Sequence, residues 1–449
     1  MFIKLKRLIY NRTISTLIIS FIIGALASIS ALIFRGLVAS LHNLLFSGHL
    51  GFVYNNSFHT APSIWGLGVI LIPAIGGLIV IGIIENFAYD ERGLSVPEIM
   101  YKTRHQNQKI HPRVALAKTL AAAISIGSGA SVGQEGPVVQ ISAALSSFIG
   151  EIITLTAEQR TLLIAAGAAA GTAAIFNAPL AGIAFAIELL LTSINVLTII
   201  SITTAAIVAA GINYFLVGNA SLFVMPTMHY MDNYRTLLIH LFLFVFFGIV
   251  LGVISALFIR SVYWFEDMFS FLFKNRYLRH IIGMLLLGIM LYAFMQLSGH
   301  YYIEGIGYTT IQDCLNSLIT NPWLLLFLFS GKLLATCLSL GTGASGGIFS
   351  PALFLGAILG TLFGLASHYY FPAFPINPAL FIIIGMAGIV GSTTGAVVTA
   401  ILLVLEMTGD YHAAFPLIIT TVIAYVVRKK ICRESVYTLK LFRRGIIFH

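Results

Sequence analysis

Long apolar runs separated by short polar interruptions fill most of the chain. The first run, residues 13–41, exceeds the length of about 20 residues that a helix needs to cross the hydrocarbon core of a bilayer. The runs at 138–150, 179–193, 352–367 and 396–408 are only 13 to 16 residues long. Such short runs are typical of re-entrant or broken helices, which lipid tolerates only where protein or a water-filled cavity satisfies the freed backbone groups. The pattern predicts an all-helical integral membrane protein with a pathway through it.

The composition supports the same class and indicates a single membrane domain. Apolar residues make up 58% of the 449 residues and charged residues only 9%, whereas a soluble domain averages about 25% charged residues. No hydrophilic segment is long enough to fold by itself, so we expect one transmembrane domain over residues 1–449 without a cytoplasmic regulatory domain.

The net charge of +9 arises largely at the two ends of the chain, where 11 of the 25 basic residues flank the outermost apolar runs. By the positive-inside bias we expect a multi-pass protein of the cell's inner membrane with both termini cytoplasmic, rather than a nucleic-acid binder. The run at 13–41 has no small-residue cleavage site and is interpreted as a retained helix, not a signal peptide. The three isolated cysteines predict neither a disulfide framework nor a metal site, and we expect no cofactor.

A repeat of 20 residues divides the chain into two related parts. Residues 118–137 read KTLAAAISIGSGASVGQEGP and residues 332–351 read KLLATCLSLGTGASGGIFSP, with identity at 10 of 20 positions and no gap. Weaker similarity follows, ending at Glu188 and Glu406. Two homologous parts with helix breaks in matching places are typical of repeat-built transporters, whose site lies at the repeat interface near the membrane midplane.

Both copies of the repeat predict the start of a helix that can bind an anion. Gly136-Pro137 and Ser350-Pro351 resemble helix starts, and Ser350 is expected to be the N-cap. A helix N-terminus presents free N–H groups and about half a positive charge. Two such ends that face each other form an anion site that needs no full cation and can therefore release its ion. One copy alone would favour plain helix packing through small residues, but two matched copies favour the anion site.

Glu135 is a carboxylate inside the first copy, at the position where the second copy has Phe349. Such a group at the bilayer centre costs about 2.5–3.5 kcal/mol and is a functional hypothesis by default. Beside an anion-binding helix end, the ionised side chain would occupy the anion's own position, and the protonated one could leave. We therefore predict that Glu135 gates the pathway, with a means of coupling proton to anion movement.

Four motifs in order resemble the CLC family of chloride channels and chloride/proton exchangers. They are the segments 93–98 (GLSVPE), 133–137 (GQEGP) and 346–351 (GGIFSP), and Tyr437. The resemblance extends over about residues 13–440. It implies an inverted repeat of two antiparallel halves, about 13–225 and 235–440, built from many tilted, broken and re-entrant helices and assembled as a homodimer.

The resemblance also implies roles for individual residues. Glu135 is the gating glutamate in that pattern. Glu188 is retained as a possible proton path only because it is adjacent to the position of the family's internal glutamate. The expected chloride-binding residues are Ser95, Gly133, Gly136, Gly347, Ile348, Phe349 and Tyr437. No residue is expected to be catalytic.

Three positions depart from the family pattern. Leu94 stands where the family usually has the chloride-binding serine, with Ser95 adjacent, and Gln134 replaces a basic residue. Leu189 occupies the position of the internal glutamate of the proton exchangers. Because an aliphatic side chain cannot carry a proton, the sequence favours passive or weakly proton-coupled chloride flow, with chloride/proton antiport as the alternative.

Two further alternatives carry less weight. Fluoride export is disfavoured because Phe349 and Tyr437 retain the chloride-type surroundings. An intramembrane serine protease is suggested by the GASGG segment around Ser345, but Ser131 occupies the same place in the first copy, which makes the serine a feature of the repeat.

Overall fold

Helices account for nearly all regular structure in the computed structural model. The described residues are 12–52, 58–89, 95–105, 109–191, 193–218, 222–226, 234–372 and 377–446. Within these ranges no β-strand occurs, and eight helices are long and apolar enough to cross a membrane. The all-helical, multi-pass membrane fold expected from the sequence is confirmed.

The described residues of the N-terminal part form eight α-helices: α1 (Arg12–His42), α2 (Ile72–Phe87), α3 (Ser95–Arg104), α4 (Pro112–Gly127), α5 (Glu135–Ile152), α6 (Ala157–Phe176), α7 (Pro179–Phe185) and α8 (Val196–Val217). A π-helical turn, Ala186–Leu190, continues α7.

The described residues of the C-terminal part form nine α-helices: α9 (Tyr234–Leu272), α10 (Arg276–Ser298), α11 (Tyr308–Leu315), α12 (Pro322–Thr342), α13 (Phe349–Tyr370), α14 (Pro378–Thr394), α15 (Val397–Thr408), α16 (Ala414–Ile431) and α17 (Val436–Phe442). The first copy of the repeat forms the end-to-start junction of α4 and α5, and the second forms that of α12 and α13.

Local chemistry explains where several helices begin. Asn321 and Asn377 precede the prolines that open α12 and α14, and each asparagine side chain accepts a hydrogen bond from a first-turn N–H group. A proline at the first helical position lacks an N–H that would have no partner in the helix, so the Asn-Pro pair is a strong start signal.

One expectation about helix length is wrong. Residues 352–367 were expected to form a helix too short to span, but α13 has 22 residues and is long enough to cross a membrane. The polar and aromatic residues that bound the apolar run, such as Ser350 and Tyr369, remain helical. In contrast α15 has 12 residues and α7 has 7 before its π-helical turn, as expected for broken helices.

Close packing of α13 on α14 depends on two glycines that face each other. A Cβ atom added to Gly356 would lie 2.2 Å from the carbonyl oxygen of Gly385, and one added to Gly385 would lie 2.2 Å from that of Gly356. The two backbones are therefore in direct contact, which is the mode of association that small residues permit between helices in lipid. This contact packs α13 directly against α14. The N-terminus of α13 is the helix start of the second repeat copy.

Candidate anion site between the two repeat loops

The loops of the two repeat copies join at Gly133 and Gly347. The Gly133 N–H donates to the Gly347 carbonyl over 2.8 Å, and the Gly347 N–H donates to the Gly133 carbonyl over 2.7 Å. These reciprocal bonds form an isolated antiparallel bridge. The bridge satisfies extended backbone that would otherwise be unpaired inside the membrane.

Serines from both copies reinforce the junction with a second reciprocal pattern. The Ser131 N–H donates to Ser339 Oγ over 3.1 Å, and the Ser345 N–H donates to Ser125 Oγ over 3.2 Å. Ser131 and Ser345 are equivalent in the repeat, as are Ser125 and Ser339. The serines that are identical in the two copies of the repeat therefore form equivalent hydrogen bonds across the contact between the two halves.

The Glu135 carboxylate crosses from the first loop to the second. Its Oε1 accepts a hydrogen bond from the Phe349 N–H over 2.8 Å, and its Oε2 accepts one from Ser350 Oγ over 3.2 Å. The side chain is buried, with 3% of its surface exposed. Both donors lie in the first turn of α13, where N–H groups have no partner within the helix. The carboxylate thus occupies the first turn of α13, the helix start at which the sequence analysis predicts an anion site.

Glycines on both sides make room for this carboxylate. A Cβ atom on Gly133 would lie 2.1 Å from Glu135 Oε2, and one on Gly347 would lie 1.8 Å from Oε1. Both distances are far below van der Waals contact, so any side chain at either position would collide with the carboxylate. The glycines of the two loops therefore define a cavity that fits the Glu135 carboxyl group.

The remaining expected chloride-binding residues lie around the same helix start. Ile348 is fully buried and immediately precedes α13, and a Cβ on Gly136 would come within 3.5 Å of the Gly347 Cα. The Tyr437 ring, in α17, is 6.4 Å from the Phe349 ring between centroids. The loops and α17 therefore converge on the first turn of α13.

The Phe349 ring contributes to an apolar wall beside the site. Its centroid lies 6.5 Å from that of Phe176 and 6.3 Å from that of Phe185. All three rings are buried, so this side of the site is apolar. An apolar surrounding strengthens the interaction of an anion with N–H groups.

Ser95 stands apart from this cluster in the chain but is joined to it by packing. It is the first residue of α3, has 3% of its surface exposed, and α3 packs against both α5 and α17. An ion pair between Glu98 of α3 and Arg444, just beyond α17, holds these two short helices together. Leu94, at the usual serine position, lies outside the described residues.

Glu188 lies at a second contact between the two halves. Its carboxylate accepts hydrogen bonds from the Val398 N–H over 3.2 Å, the Thr399 N–H over 3.0 Å and Thr399 Oγ1 over 2.8 Å. Glu188 therefore caps the N-terminus of α15, a role that the sequence analysis did not assign to it.

Glu406 at the end of α15 makes the reciprocal contact. It accepts hydrogen bonds from the Leu180 N–H over 2.9 Å and the Ala181 N–H over 2.8 Å, at the start of α7. The matching ends of the weak repeat at Glu188 and Glu406 were the sequence signal for this crossed pair of caps.

Two serines behave differently from the sequence expectations. The N-cap of α13 is Ile348, not Ser350, so the expected cap is wrong: the Ser350 hydroxyl donates to Glu135 instead. The Ser345 hydroxyl donates to the Lys118 carbonyl over 3.2 Å. A nucleophilic serine needs a general base within hydrogen-bond reach, and a backbone carbonyl is not such a base, so this contact does not support the protease alternative.

Known proteins resemble this chain along most of its length. Residues 76–429 match the family model described as "Voltage gated chloride channel". The H(+)/Cl(-) exchange transporter ClcA of Vibrio cholerae serotype O1 (strain ATCC 39541 / Classical Ogawa 395 / O395) is 34% identical over 385 residues, 84% of this chain and 80% of ClcA.

Solved structures agree with the fold. The crystal structure of a slow cyanobacterial Cl-/H+ antiporter matches with a TM-score of 0.84 at 26% identity, covering 96% of this chain and 97% of that one. The crystal structure of a CLC-type fluoride/proton antiporter matches with a TM-score of 0.74 at 21% identity, covering 95% and 97% of the two chains, a likeness that concerns the fold alone.

Proposed function

This chain belongs to the voltage-gated chloride channel (CLC) family, and from that premise we propose that it exchanges chloride for protons across a membrane. Members of this family are transporters, and the chain is not an enzyme. One observation carries the proposal: the Glu135 carboxylate accepts the Phe349 N–H over 2.8 Å. A group that can be protonated thus competes with the transported anion for the same donor, which links the occupancy of the site by chloride to the occupancy of Glu135 by a proton.

The exchange follows from simple competition. Ionised Glu135 occupies the start of α13 and excludes chloride. Protonation removes its charge, so that the N–H groups bind chloride in preference to the neutral carboxyl group. When Glu135 releases its proton to one side of the membrane, the returning carboxylate displaces chloride towards the other side, so the two ions move in opposite directions.

The transport mode proposed here differs from the one that the sequence favoured. Leu189 led us to expect passive or weakly coupled flow, since it cannot carry a proton. The related ClcA and the cyanobacterial protein are described as exchangers, and these relatives support the antiport alternative over a passive channel.

For the anion itself we propose coordination by the N–H groups of Ile348 and Phe349 and the hydroxyl of Tyr437. Ser95 is proposed to supply the hydroxyl that Leu94 lacks. Gly133, Gly136 and Gly347, which surround the same helix start, are proposed to leave room for an ion of the size of chloride. A cage made of backbone groups adapts in size, so bromide and nitrate are expected to pass as well.

Glu188 is the candidate acid for the proton on the other side of the site. Its carboxylate accepts three hydrogen bonds from α15, which must rearrange before it can carry a proton. We therefore expect slow coupled turnover.

We further propose the family architecture for this chain: a single membrane domain of two half-repeats, about 13–225 and 235–440, assembled as a homodimer in the inner membrane with both termini cytoplasmic. The crossed glycine and serine contacts between equivalent positions support the half-repeats.

Reconstituted transport tests the exchange. A chloride gradient is imposed on proteoliposomes at symmetric pH, with the membrane potential clamped by valinomycin and potassium. We expect protons to move uphill in a fixed ratio to chloride, and Glu135→Ala to abolish that movement while chloride still flows. Chloride flux without any proton movement in the wild-type protein would instead establish the passive mode.

A further inference from the structure

A cavity of about 490 Å³ lies at the C-terminal end of α1. It is bounded by the side chains of Arg35 and Gln134 and by the segment from Tyr301 to Thr310 at the start of α11. Because α1 is a candidate span, this cavity lies on the membrane side opposite the start of α1. Gln134 immediately precedes Glu135, so the cavity approaches the anion site from that side.

Tyr308 connects the wall of this cavity to Glu135 through one intervening residue. Tyr308 Oη lies 3.2 Å from Ser350 Oγ, and Ser350 Oγ lies 3.2 Å from Glu135 Oε2. Tyr308 lines the cavity yet has only 5% of its surface exposed, and Ser350 is fully buried. Two hydroxyl groups therefore form a continuous chain from the cavity to the carboxylate.

The chemistry of the three groups sets the direction of the chain. An ionised carboxylate only accepts hydrogen bonds, so Ser350 must donate its single hydrogen to Glu135. The Ser350 oxygen is then an acceptor for Tyr308, whose hydroxyl donates to it. Both hydrogens point towards Glu135, which is the arrangement required to deliver a proton from the cavity to the carboxylate.

Resting on the exchange proposed above, we propose that Tyr308 and Ser350 relay protons between the cavity and Glu135 while its carboxylate occupies the anion site. A hydronium ion of the bathing solution gives a proton to Tyr308 Oη as the phenolic hydrogen passes to Ser350 Oγ and the serine hydrogen passes to Glu135 Oε2. One O–H bond forms at each oxygen as another breaks, so both hydroxyls are restored and Glu135 gains one proton. The reverse sequence releases it.

A relay is needed because the Glu135 carboxylate is buried and has little direct contact with solvent. Only 3% of the Glu135 surface is exposed while the carboxylate binds the Phe349 N–H. A hydroxyl chain protonates the carboxylate without admitting water, which would weaken the anion site. The other charged and titratable groups that line the cavity around Tyr308 are Arg35, His42, His59, Tyr301, Tyr302 and Glu304.

The test compares hydroxyl deletions on and off the chain. Tyr308→Phe retains the ring, which packs edge-on against Phe223 at 5.5 Å, and does not touch Glu135. Ser350→Ala removes the second hydroxyl. Tyr302→Phe is the matched control, because Tyr302 lines the same cavity and is not hydrogen-bonded to Ser350. Each protein is reconstituted for proton-coupled chloride exchange, and chloride binding is measured by isothermal titration calorimetry.

A positioned proton donor contributes about 10²- to 10⁴-fold to a rate, so we expect Tyr308→Phe and Ser350→Ala to slow coupled exchange by about 100-fold or more. Chloride affinity should stay unchanged in Tyr308→Phe, a split that a purely structural role would not produce. Tyr302→Phe should exchange at the wild-type rate.

Three outcomes overturn the relay and are distinguishable. If wild-type protein exchanges and Tyr308→Phe does so at the same rate, the relay alone is wrong. If wild-type protein moves chloride without protons, both the exchange and the relay are wrong. A fall in rate accompanied by an equal loss of chloride affinity in Tyr308→Phe would assign Tyr308 to the anion site instead.

Discussion

Replacement of Glu135 by Gln tests whether this side chain competes with chloride. The amide has nearly the volume of the carboxyl group but carries no charge at any pH. The variant therefore resembles the protonated protein, in which the Phe349 N–H is available to an anion.

The structure sets the size of the effect. The carboxylate accepts two hydrogen bonds, from Phe349 N and Ser350 Oγ. A hydrogen bond to a charged group contributes about 1.5–3 kcal/mol and one between neutral groups about 0.5–1.5 kcal/mol, so loss of charge weakens the pair by about 2–3 kcal/mol. At 1.36 kcal/mol for each factor of ten, this difference corresponds to about 30- to 150-fold in the competition with chloride. The apparent chloride affinity of Glu135→Gln should rise by about that factor.

Isothermal titration of chloride into purified protein in chloride-free buffer measures this affinity. Glu406→Gln is the matched control, because Glu406 also accepts two hydrogen bonds at a helix start, in its case from the Leu180 and Ala181 N–H groups of α7. The chloride affinity of this variant should equal that of wild type. The difference between wild type and Glu135→Gln should shrink as pH falls, because wild-type Glu135 then becomes neutral as well.

An unchanged chloride affinity in Glu135→Gln, together with a wild-type pH profile of chloride flux, would refute the competition. The Glu135 carboxylate would then have no part in gating, and the proposed coupling between proton and chloride would fail with it.

Three further variants examine the surroundings of the site. In Gly347→Ala the new Cβ would lie 1.8 Å from Glu135 Oε1, so the carboxylate is displaced and chloride flux in liposomes should lose its dependence on pH. Tyr437→Phe keeps the ring against Phe349 but removes one donor to the anion, which should weaken chloride binding by about 10-fold or more in calorimetry. Glu188→Ala leaves the first N–H groups of α15 uncapped and should lower the thermal unfolding temperature, with a loss of about 1–2 kcal/mol in stability.

Each of these expectations has a contrary result. A folded Gly347→Ala protein with wild-type pH dependence would show that the carboxylate does not need this space. Wild-type chloride affinity in Tyr437→Phe would remove its hydroxyl from the proposed site. An unchanged melting temperature in Glu188→Ala would mean that the cap contributes nothing, and Glu188→Gln, which keeps an acceptor, is its control.

The sequence was sufficient for the class of protein and for the centre of the site. Apolar runs are a one-dimensional property, and lipid as solvent forces them into helices because every backbone polar group must be satisfied within the segment. The identity between residues 118–137 and 332–351 likewise identified the two loops that meet, since equivalent sequences in a pseudosymmetric fold form equivalent surfaces.

Contacts between the halves were beyond what the sequence could specify. Ser350 has a strong local preference for capping a helix, yet its hydroxyl donates to Glu135, which lies 215 residues away in the chain. A hydrogen bond from the hydroxyl to a charged carboxylate is stronger than the neutral bond that a capping hydroxyl accepts from a backbone N–H. The tertiary contact therefore prevailed over the local one. Tyr308 gave no signal at all in the sequence.

The sequence by itself determined that this protein spans a membrane and that two related loops of glycine and serine lead into helix starts, with Glu135 at the first of them. Only the tertiary structure decided which donors Glu135 accepts, that Glu188 and Glu406 cap each other's half, and that α13 extends over 22 residues. The physical reason is the separation along the chain of the residues that interact. Solvent preference and backbone propensity depend on neighbouring residues, whereas hydrogen bonds between residues far apart in the sequence form only when the two halves have packed.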